Sequence, residues 1–360
     1  MANLLVKILR WWYNWFNKIF GDSKMITYIK KGAPQYKANL HCHSTKSDGK
    51  LEPRQLKEAY KSHGYSVLCI TDHERPYDHT ALSDPDFLML TGYEAYIRPQ
   101  GHTPYGPEVH INLFSRDPHN VKFINFEDKF CKYIKDPAER DAQIKVGSTE
   151  PRQYSVEYIN EFVKTAKEHG YICSHNHAVW SMEKHETVEA YQGFFSMEMS
   201  NYSSVLINRM EYNGPLYDRL LMGGKRIFCH SADDNHNKLP FGDPGCDSFG
   251  GFTMIMADEL SYDSVFEALE KGNFYSSAGP EIFELTFDGN KVHIETTAAR
   301  QISMISGAKR SKRVYGTPDA PVTCADFEIS DTAPYVRFDV YDFEGNHANT
   351  RGFFRDELGI

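Results

Sequence analysis

Seven short apolar runs, separated by helical or turn-rich stretches, follow one another between residues 37 and 230 and constrain the fold of this chain most strongly. Short apolar runs between turn residues are typical of buried strands, and their alternation with helices is typical of parallel α/β proteins. The pattern therefore predicts an α/β fold. We expect its strands at residues 38–40, 67–70, 87–90, 109–114, 171–174, 194–199 and 226–229.

Helix-boundary residues support the alternation of strands and helices. Pro53 stands where a first-turn proline belongs, and Gly64 stands where a glycine commonly ends a helix. A second helix is expected over residues 155–169, because Gly170 follows that stretch directly. These segments complete a repeating βα pattern.

Two parts of the chain depart from this pattern. Residues 116–154 carry clustered charges and three prolines, which predicts an insertion or lid over one face of the domain. After a last helix at residues 261–271, the segments alternate in the manner of β-strands. We therefore expect a main domain over residues 25–275 and a small all-β, sandwich-like domain over residues 276–360.

The N-terminal residues 1–24 form a separate unit of the sequence. Charges interrupt its apolar residues too often for a membrane-spanning segment or a signal peptide. The pattern predicts an amphipathic helix, either docked on its own domain or another subunit, or anchored at a membrane interface. Residues 1–20 could thus mediate self-association or membrane-surface contact. The apolar residues at helical spacing are Leu4, Leu5, Ile8, Trp12, Trp15, Phe16 and Ile19.

Composition narrows the class of protein. The 40 Lys and Arg residues against 49 Asp and Glu residues give a formal charge of -9, which disfavours general binding to nucleic acid. The seven cysteines form an odd set without a CxxC pair. Cys42, Cys69, Cys173 and Cys229 lie in apolar runs, so we expect buried thiols in a reducing, cytoplasmic compartment rather than disulfides.

Imidazole and carboxylate side chains stand at or near the ends of the predicted strands. His41 and His43 follow the first strand, and residues two apart in extended backbone point to the same side, so both could hold one cation. A lone strand-end histidine is weak evidence, but such residues after successive strands converge on one face of a parallel barrel. The sequence therefore predicts a metal site. The further candidates are Asp48, Asp72, His73, Glu94, His110, His175, His177, Asp233, Asp234 and His236.

The ordered motifs resemble those of the PHP (polymerase and histidinol phosphatase) superfamily. They are His41-Cys42-His43 with Ser47-Asp48-Gly49, then Thr71-Asp72-His73, the run from Tyr171 to His177, and Asp234-Asn235-His236. The resemblance covers roughly residues 37–275. It implies a distorted (βα)7 TIM-like barrel with the small C-terminal all-β domain. The sequence from Gly272 to Tyr275 and the β-rich tail resemble a bacterial branch that includes carbaryl-hydrolase-like metallohydrolases.

The resemblance also implies a set of two or three divalent cations, with Zn, Mn or Fe suited to imidazole and carboxylate ligands. The first cation would be held by His41, His43, Glu94 and Asp234. The second would be held by His110 and His177, with Glu94 bridging the pair. The third would use Asp48, His73 and His236.

Four further assignments complete the predicted site. His177 is chosen as the ligand of its motif, with His175 as a catalytic candidate near the leaving group. The DxH spacing selects Asp234 over Asp233. Asp72 is expected to orient His73 rather than bind metal. Arg98, which lies between Glu94 and His110 in the sequence, is the candidate for gripping an anionic substrate.

Three functions remain open at this point. The first is hydrolysis of a small phosphorylated metabolite or nucleotide by a hydroxide that bridges two cations. The second is hydrolysis of a carbamate or carboxylic ester at the same site, since the pocket decides which centre is attacked. The third is a non-catalytic scaffold derived from the same fold.

Overall fold

The computed structural model describes residues 25–103, 105–208 and 212–360. The predicted amphipathic helix at residues 1–24 lies outside these residues. Within them, no helix is long and apolar enough to cross a membrane.

Twenty strands and eight α-helices lie in the described residues. The strands are β1 Ile26–Ile29, β2 Tyr36–Asn39, β3 Val67–Ile70, β4 Leu88–Ile97, β5 Val109–Ser115, β6 Phe123–Ile124, β7 Lys145–Val146, β8 Tyr171–His175, β9 Ser196–Asn201, β10 Phe228–Ala232, β11 Phe252–Ile255, β12 Phe274–Ser277, β13 Ile282–Asp288, β14 Lys291–Ala299, β15 Gln301–Ile305, β16 Lys312–Tyr315, β17 Val322–Glu328, β18 Tyr335–Tyr341, β19 His347–Asn349 and β20 Phe353–Phe354. The helices are α1 Pro53–Ser62, α2 Pro137–Asp141, α3 Val156–Glu168, α4 His185–Ala190, α5 Tyr202–Asn208, α6 Gly214–Met222, α7 Tyr262–Lys271 and α8 Arg355–Leu358. Short 3-10 turns occur at Thr80–Leu82 and Asp128–Phe130.

The seven predicted strands are all present, as β2, β3, β4, β5, β8, β9 and β10. They belong to one large sheet of fourteen strands with the order β10-β9-β8-β5-β4-β3-β2-β11-β12-β19-β18-β15-β16, in which β20 also pairs with β18. Six of the seven are buried along nearly all their length, as continuous apolar runs require, and β2 is buried in its second half. The α/β fold class is therefore confirmed.

The expectation of a closed parallel barrel is not met. β5 runs antiparallel to both of its neighbours, β4 and β8, and β11 runs antiparallel to β2. In the described residues the sheet stays open, since no strand ladder joins β10 to β2. Instead of a ladder, an isolated bridge between Cys42 and Asn235 links the segments that follow these two strands.

That isolated bridge nevertheless brings two distant segments together. The backbone N–H of His43 donates to the Asn235 carbonyl at 3.0 Å, and the N–H of Asp234 donates to the His41 carbonyl at 2.9 Å. The residues after β2 and those after β10 are therefore neighbours, although nearly two hundred residues separate them in the sequence.

Local sequence signals account for the helices beside the sheet. α1 begins at Pro53, and its capping box joins Glu52 with Gln55. α7 begins after the N-cap Ser261, whose hydroxyl accepts from the backbone of the next turn. It ends at Gly272, which adopts φ 71° in the left-handed region that glycine tolerates.

The C-terminal part of the chain is β-rich. A second sheet has the order β1-β13-β14-β17, so the N-terminal strand β1 pairs with the C-terminal strand β13. Leu285 and Ile294 of this sheet share one buried apolar cluster with Phe338 and Val340 of the large sheet. The two sheets therefore pack face to face, while the domain limits at residues 275 and 276 stay a prediction.

Candidate metal centre

His41 and His43 stand at the end of β2, where the extended backbone turns both rings to one side. Both residues are fully buried, and their Nε2 atoms lie 3.2 Å apart. Asp234, which follows β10, places Oδ1 at 3.1 Å from His41 Nε2 and 2.9 Å from His43 Nε2. These three side chains converge tightly enough to hold one cation.

Glu94 lies at the middle of the cluster. Its Oε1 is 3.3 Å from His41 Nε2, 3.0 Å from His110 Nδ1 and 3.5 Å from His177 Nε2. Its Oε2 is 2.8 Å from His73 Nδ1. His43 Nε2 also lies 3.6 Å from Oε2, and a fully buried carboxylate near five imidazoles has the placement expected of a bridging ligand.

The antiparallel course of β5 explains how His110 reaches Glu94. His110 is the second residue of its strand, so it stands at the beginning of β5 and not at the end that a parallel strand would bring to the site. In the β4–β5 ladder His110 lies opposite Tyr96, and Glu94 lies opposite Asn112. Glu94 and His110 are therefore diagonal neighbours on one face of the sheet.

Asp48 forms the outer side of the cluster. Its Oδ1 lies 3.8 Å from His73 Nε2, 3.6 Å from His236 Nε2 and 3.9 Å from His43 Nδ1. Gly49 allows the turn to fold this closely, because a Cβ added there would lie 2.2 Å from the His43 carbonyl oxygen.

The structure thus brings all nine predicted ligands into one connected cluster. Its groups overlap differently from the predicted ones, since His43 also joins the outer group and His73 also faces Glu94. The four groups are His41, His43 and Asp234; His41, Glu94 and His177; His73, Glu94 and His110; and His43, Asp48, His73 and His236.

The donor atoms fit divalent cations. Three buried atoms in the cluster make no hydrogen bond of good geometry among the described residues, namely Glu94 Oε2, His73 Nδ1 and His110 Nε2, although the first two lie 2.8 Å apart and the third lies 3.3 Å from Glu108 Oε2. Buried polar atoms without partners are rare in folded proteins, and a missing ion is one accepted reason. Ligands at about 2.0–2.2 Å from a cation lie roughly 3.0–3.6 Å apart, which matches most of the inner spacings.

Opposite charges in the cluster stabilise one another and shift the pKa values of its residues. Burial raises the pKa of Asp48, but His73, His43 and His236 outweigh burial and lower it to about 2. Burial lowers the pKa of His110, but Glu94 and Glu108 outweigh burial and raise it to about 10. The carboxylates are therefore held ionised, ready to act as ligands.

Two ligands occupy an unusual backbone conformation. His177 has φ 20° and Asp234 has φ 54°, in the left-handed region that residues other than glycine seldom adopt. Such conformations cost on the order of 1–3 kcal/mol each and collect at functional sites. The turns after β8 and β10 are thus shaped to present these side chains.

Glu198 in β9 supports the cluster from beneath, and the sequence analysis missed it. Its Oε1 lies 2.7 Å from His41 Nδ1, and its Oε2 accepts from the His177 backbone at 2.8 Å. Asn201 donates to both Glu198 at 2.9 Å and Asp234 at 3.2 Å. An acidic residue inside a fully buried strand requires partners, and that signal could have identified Glu198.

Tyr133 was also missed, and nothing in the sequence marks it. Its hydroxyl donates to Asp48 Oδ2 at 3.1 Å, from within the insertion at residues 116–154. The ring stacks at 15° to that of His73, with the centroids 6.2 Å apart. The insertion therefore reaches the outer side of the metal cluster, where a lid was expected.

Asp72 and Asp233 lie next to ligands but have other partners. Asp72 accepts from the Ser44 backbone at 2.8 Å and from the Ser47 hydroxyl at 2.6 Å, so it holds the turn that carries Asp48. That Asp72 orients His73 stays a prediction. Asp233 accepts from the backbone of residues 249–251. The aspartate in the cluster is Asp234, as its motif spacing predicts.

His175 is not brought to the cluster. Its Nε2 lies 2.7 Å from Glu183 Oε1, and its ring packs beside Tyr191 and Phe194. It borders a separate cavity of about 910 Å³ that none of the nine ligands lines. The predicted catalytic role of His175 stays a prediction without a contact to the metal ligands among its described partners.

The cluster forms the floor of a cleft of about 440 Å³. Arg98, Lys132 and Lys238 also line this cleft, so three cationic side chains surround the metal ligands. Arg98 forms an ion pair with Glu108 and lies over the ring of Tyr96 at 4.3 Å. The predicted anion-gripping residue is therefore placed within the cleft.

No protein-family model matches this chain, and no curated protein matches it. Thirteen chains of solved structures match. One is a two-domain protein containing a predicted PHP-like metal-dependent phosphoesterase from Bacteroides vulgatus, with TM-score 0.44, 14% identity, and 90% of this chain and 97% of that chain covered. A second, described as a metal-dependent phosphoesterase from Bifidobacterium adolescentis, has TM-score 0.34, 16% identity, and coverage of 59% and 93%.

A third is an amidohydrolase from Chromobacterium violaceum with bound sulfate and no metal, with TM-score 0.38, 17% identity, and coverage of 58% and 89%. All three likenesses are distant, so the activity of this chain must be inferred from its own site. The carbaryl-hydrolase-like branch has no counterpart among these three and stays a prediction. In its motifs and among solved structures, the chain is similar to PHP-like metal-dependent phosphoesterases.

Proposed function

We propose that this chain is a metal-dependent hydrolase that cleaves a phosphoester of a small metabolite or nucleotide. The observation that supports the proposal most is the arrangement of the cleft. Seven of the nine imidazole and carboxylate candidates line it, and three cationic side chains line it beside them. Metal ligands and cations around one small cavity suit a substrate whose reacting group is an anion.

Three of the candidate ligands are supported by partners outside the cluster. Glu198 would hold the ring of His41 with Nε2 toward the cation, and its bond to the His177 backbone keeps the second turn in place. Asp72 secures the Ser44 to Ser47 turn, which sets the position of Asp48. When bound, divalent cations would supply an activated water and a Lewis acid for a phosphoryl oxygen.

The cationic side chains would bind and orient the phosphoryl group. Arg98 is held against Glu108 and Tyr96, so its planar guanidinium is oriented before the substrate arrives. Lys132 and Lys238 are exposed and lie in the same cleft. Positive groups near the non-bridging oxygens would stabilise charge that grows there as the bond to the leaving oxygen breaks.

The proposal can be tested with the full chain loaded separately with Zn, Mn and Fe. We expect two or three metal ions per chain by elemental analysis and hydrolysis of 4-nitrophenyl phosphate. His43→Ala should lose bound metal and at least about 100-fold in kcat/KM, because this histidine faces two ligand groups. The control His119→Ala changes an exposed histidine paired with Asp78 and should leave both values unchanged.

Other outcomes would contradict the proposal. Turnover of 4-nitrophenyl acetate alone would favour the carboxylic ester alternative. The chain would be a scaffold if it bound no stoichiometric metal after purification and reconstitution. His43→Ala and His119→Ala would then show the same metal content and the same absence of turnover.

A further inference from the structure

The walls of the metal cleft differ in chemistry from its floor. Beside the ligands and the three cations, the cleft is lined by Trp180, Leu206, Ile207 and Leu239. Leu206 and Ile207 belong to α5, Trp180 follows β8, and Leu239 follows β10. Three separate segments therefore contribute apolar side chains to the lining of the cleft, and we call these four residues the apolar wall.

Part of the apolar wall is open to water. Ile207 is 69% exposed and Leu239 is 43% exposed. Single exposed apolar residues are common on protein surfaces, but several that line a cleft together mark a contact surface. Because they lie in the cavity that contains the metal ligands, the molecule that covers them is the one that occupies the cleft.

The other polar side chains that line the cleft offer few hydrogen bonds to a polar ligand. Asp247 already accepts from the backbone of His236 at 2.8 Å and of Asn237 at 2.9 Å. Ser203 and Ser204 are 7% and 2% exposed. A sugar or polyol placed against the apolar wall would lose hydrogen bonds to water without gaining equivalent ones from the protein.

We infer that the substrate is a phosphomonoester of small size whose alcohol part carries an alkyl or aryl group. This inference rests on the proposed phosphoesterase function. The phosphoryl group lies over the metal ligands between Arg98, Lys132 and Lys238, and the apolar part of the alcohol covers the apolar wall. A cavity of about 440 Å³ accommodates both parts of a small ester.

Three substrates with primary alcohol leaving groups separate this inference from simple phosphate recognition: ethyl phosphate, hexyl phosphate and glucose 6-phosphate. Phosphate release by the metal-loaded full chain gives kcat/KM for each. We expect kcat/KM for hexyl phosphate to be roughly tenfold higher than for either other ester. Four additional methylene groups would give a larger factor in a closed pocket, but the apolar wall is partly open to water. Because all three leaving groups are primary alcohols of similar reactivity, differences in kcat/KM report differences in contacts with the cleft.

Variants of the apolar wall provide the second arm. Ile207→Ser and Leu239→Ser should each lower the ratio of kcat/KM for hexyl phosphate over ethyl phosphate by roughly threefold or more. Val314→Ser is the matched control, because Val314 is 38% exposed in β16 and does not line the cleft. Circular dichroism and metal content verify that each variant is folded and loaded.

The outcomes separate the two proposals. Equal kcat/KM for the three esters, or a preference for glucose 6-phosphate, overturns the inferred substrate class while phosphoester hydrolysis stands. A preference for hexyl phosphate that survives both wall substitutions also overturns it. If the metal-loaded chain cleaves no phosphoester, the proposed function fails, and the substrate class fails with it.

Discussion

Glu198 is a single buried residue that would orient candidate metal ligands without facing the cation. It contacts His41 Nδ1 and the His177 backbone, and it is fully buried in β9. Burial raises the pKa of Glu198, but His41 outweighs burial and lowers it, so the carboxylate stays charged. A charged acceptor fixes the ring of His41 more firmly than a neutral one.

We therefore predict that Glu198→Gln lowers the affinity for the first cation by about 10–100-fold. Competition with a chromophoric chelator measures this affinity. Glu189→Gln, at a surface ion pair with Arg219, is the control and should leave it unchanged. Equal affinities of the two variants would show that Glu198 has no orienting role.

The raised pKa of His110 also leads to a prediction of how metal affinity depends on pH. In the metal-free protein, burial lowers the pKa of His110, but Glu94 and Glu108 raise it to about 10. The proton on His110 therefore stabilises the metal-free fold fully below the usual pKa of about 6.5, and this contribution is lost as pH rises toward 10. A cation must displace that proton.

Metal affinity should consequently rise between pH 7 and pH 9, by about tenfold per pH unit for each proton displaced. Calorimetry in buffers of different ionisation enthalpy counts the released protons. His110→Asn should release about one proton fewer. A metal affinity that does not change over this pH range would contradict the expected protonation of His110.

At the scale of elements, the insertion at residues 116–154 is tied to the strand that carries Glu94. Arg152 is 0% exposed at its side chain and donates to both oxygens of Glu74, at 2.5 Å and 2.9 Å. It also donates to the Tyr96 carbonyl at 2.8 Å. Glu74 follows the ligand His73, so this buried pair links the insertion to the ligand turn.

Arg152→Met should destabilise the protein by about 3–5 kcal/mol, because it leaves the Glu74 carboxylate buried without its partner. Urea unfolding of the metal-free protein measures the loss. Arg219→Met, at a half-exposed pair, should cost no more than about 1 kcal/mol. The double variant Glu74→Leu with Arg152→Met should recover part of the loss, and a loss equal to that of Arg152→Met would contradict the unpaired-charge explanation.

At the scale of the whole molecule, the candidate metal site joins two strands of the sheet that no ladder pairs directly. His41 and His43 follow β2, and Asp234 and His236 follow β10, and an isolated bridge with a few backbone hydrogen bonds links these segments. A cation held by both segments would close this gap, because its ligands come from either side.

Removal of the cations should therefore lower Tm. A ligand at a hundred times its Kd stabilises the folded state by about 2.7 kcal/mol. For 360 residues this corresponds to about 3–4 °C per cation. Calorimetry with and without a chelator measures the shift in Tm. Removal of the cations should also increase amide hydrogen exchange at residues 41–43 and 233–236. Unchanged exchange at these residues would contradict the idea that the cations link the two segments.

The sequence by itself determined the seven strands of the α/β region, the burial of Cys42, Cys69, Cys173 and Cys229, and the identity of the nine clustered side chains. The strands and the buried cysteines could be predicted because apolar runs and boundary residues are local patterns, whereas the nine side chains came from strand-end positions and from the motifs of the family that the sequence resembles. The choice of Asp234 over Asp233 followed from the DxH motif of the family that the sequence resembles.

Only the tertiary structure decided strand direction, sheet closure and the supporting contacts. The antiparallel course of β5 depends on pairing across the sheet, which a short apolar run does not encode. The contacts of Glu198 and Tyr133 with the cluster depend on residues 157 and 85 positions away in the sequence. Local patterns specify which side chains are available, whereas packing between distant segments determines which of them meet.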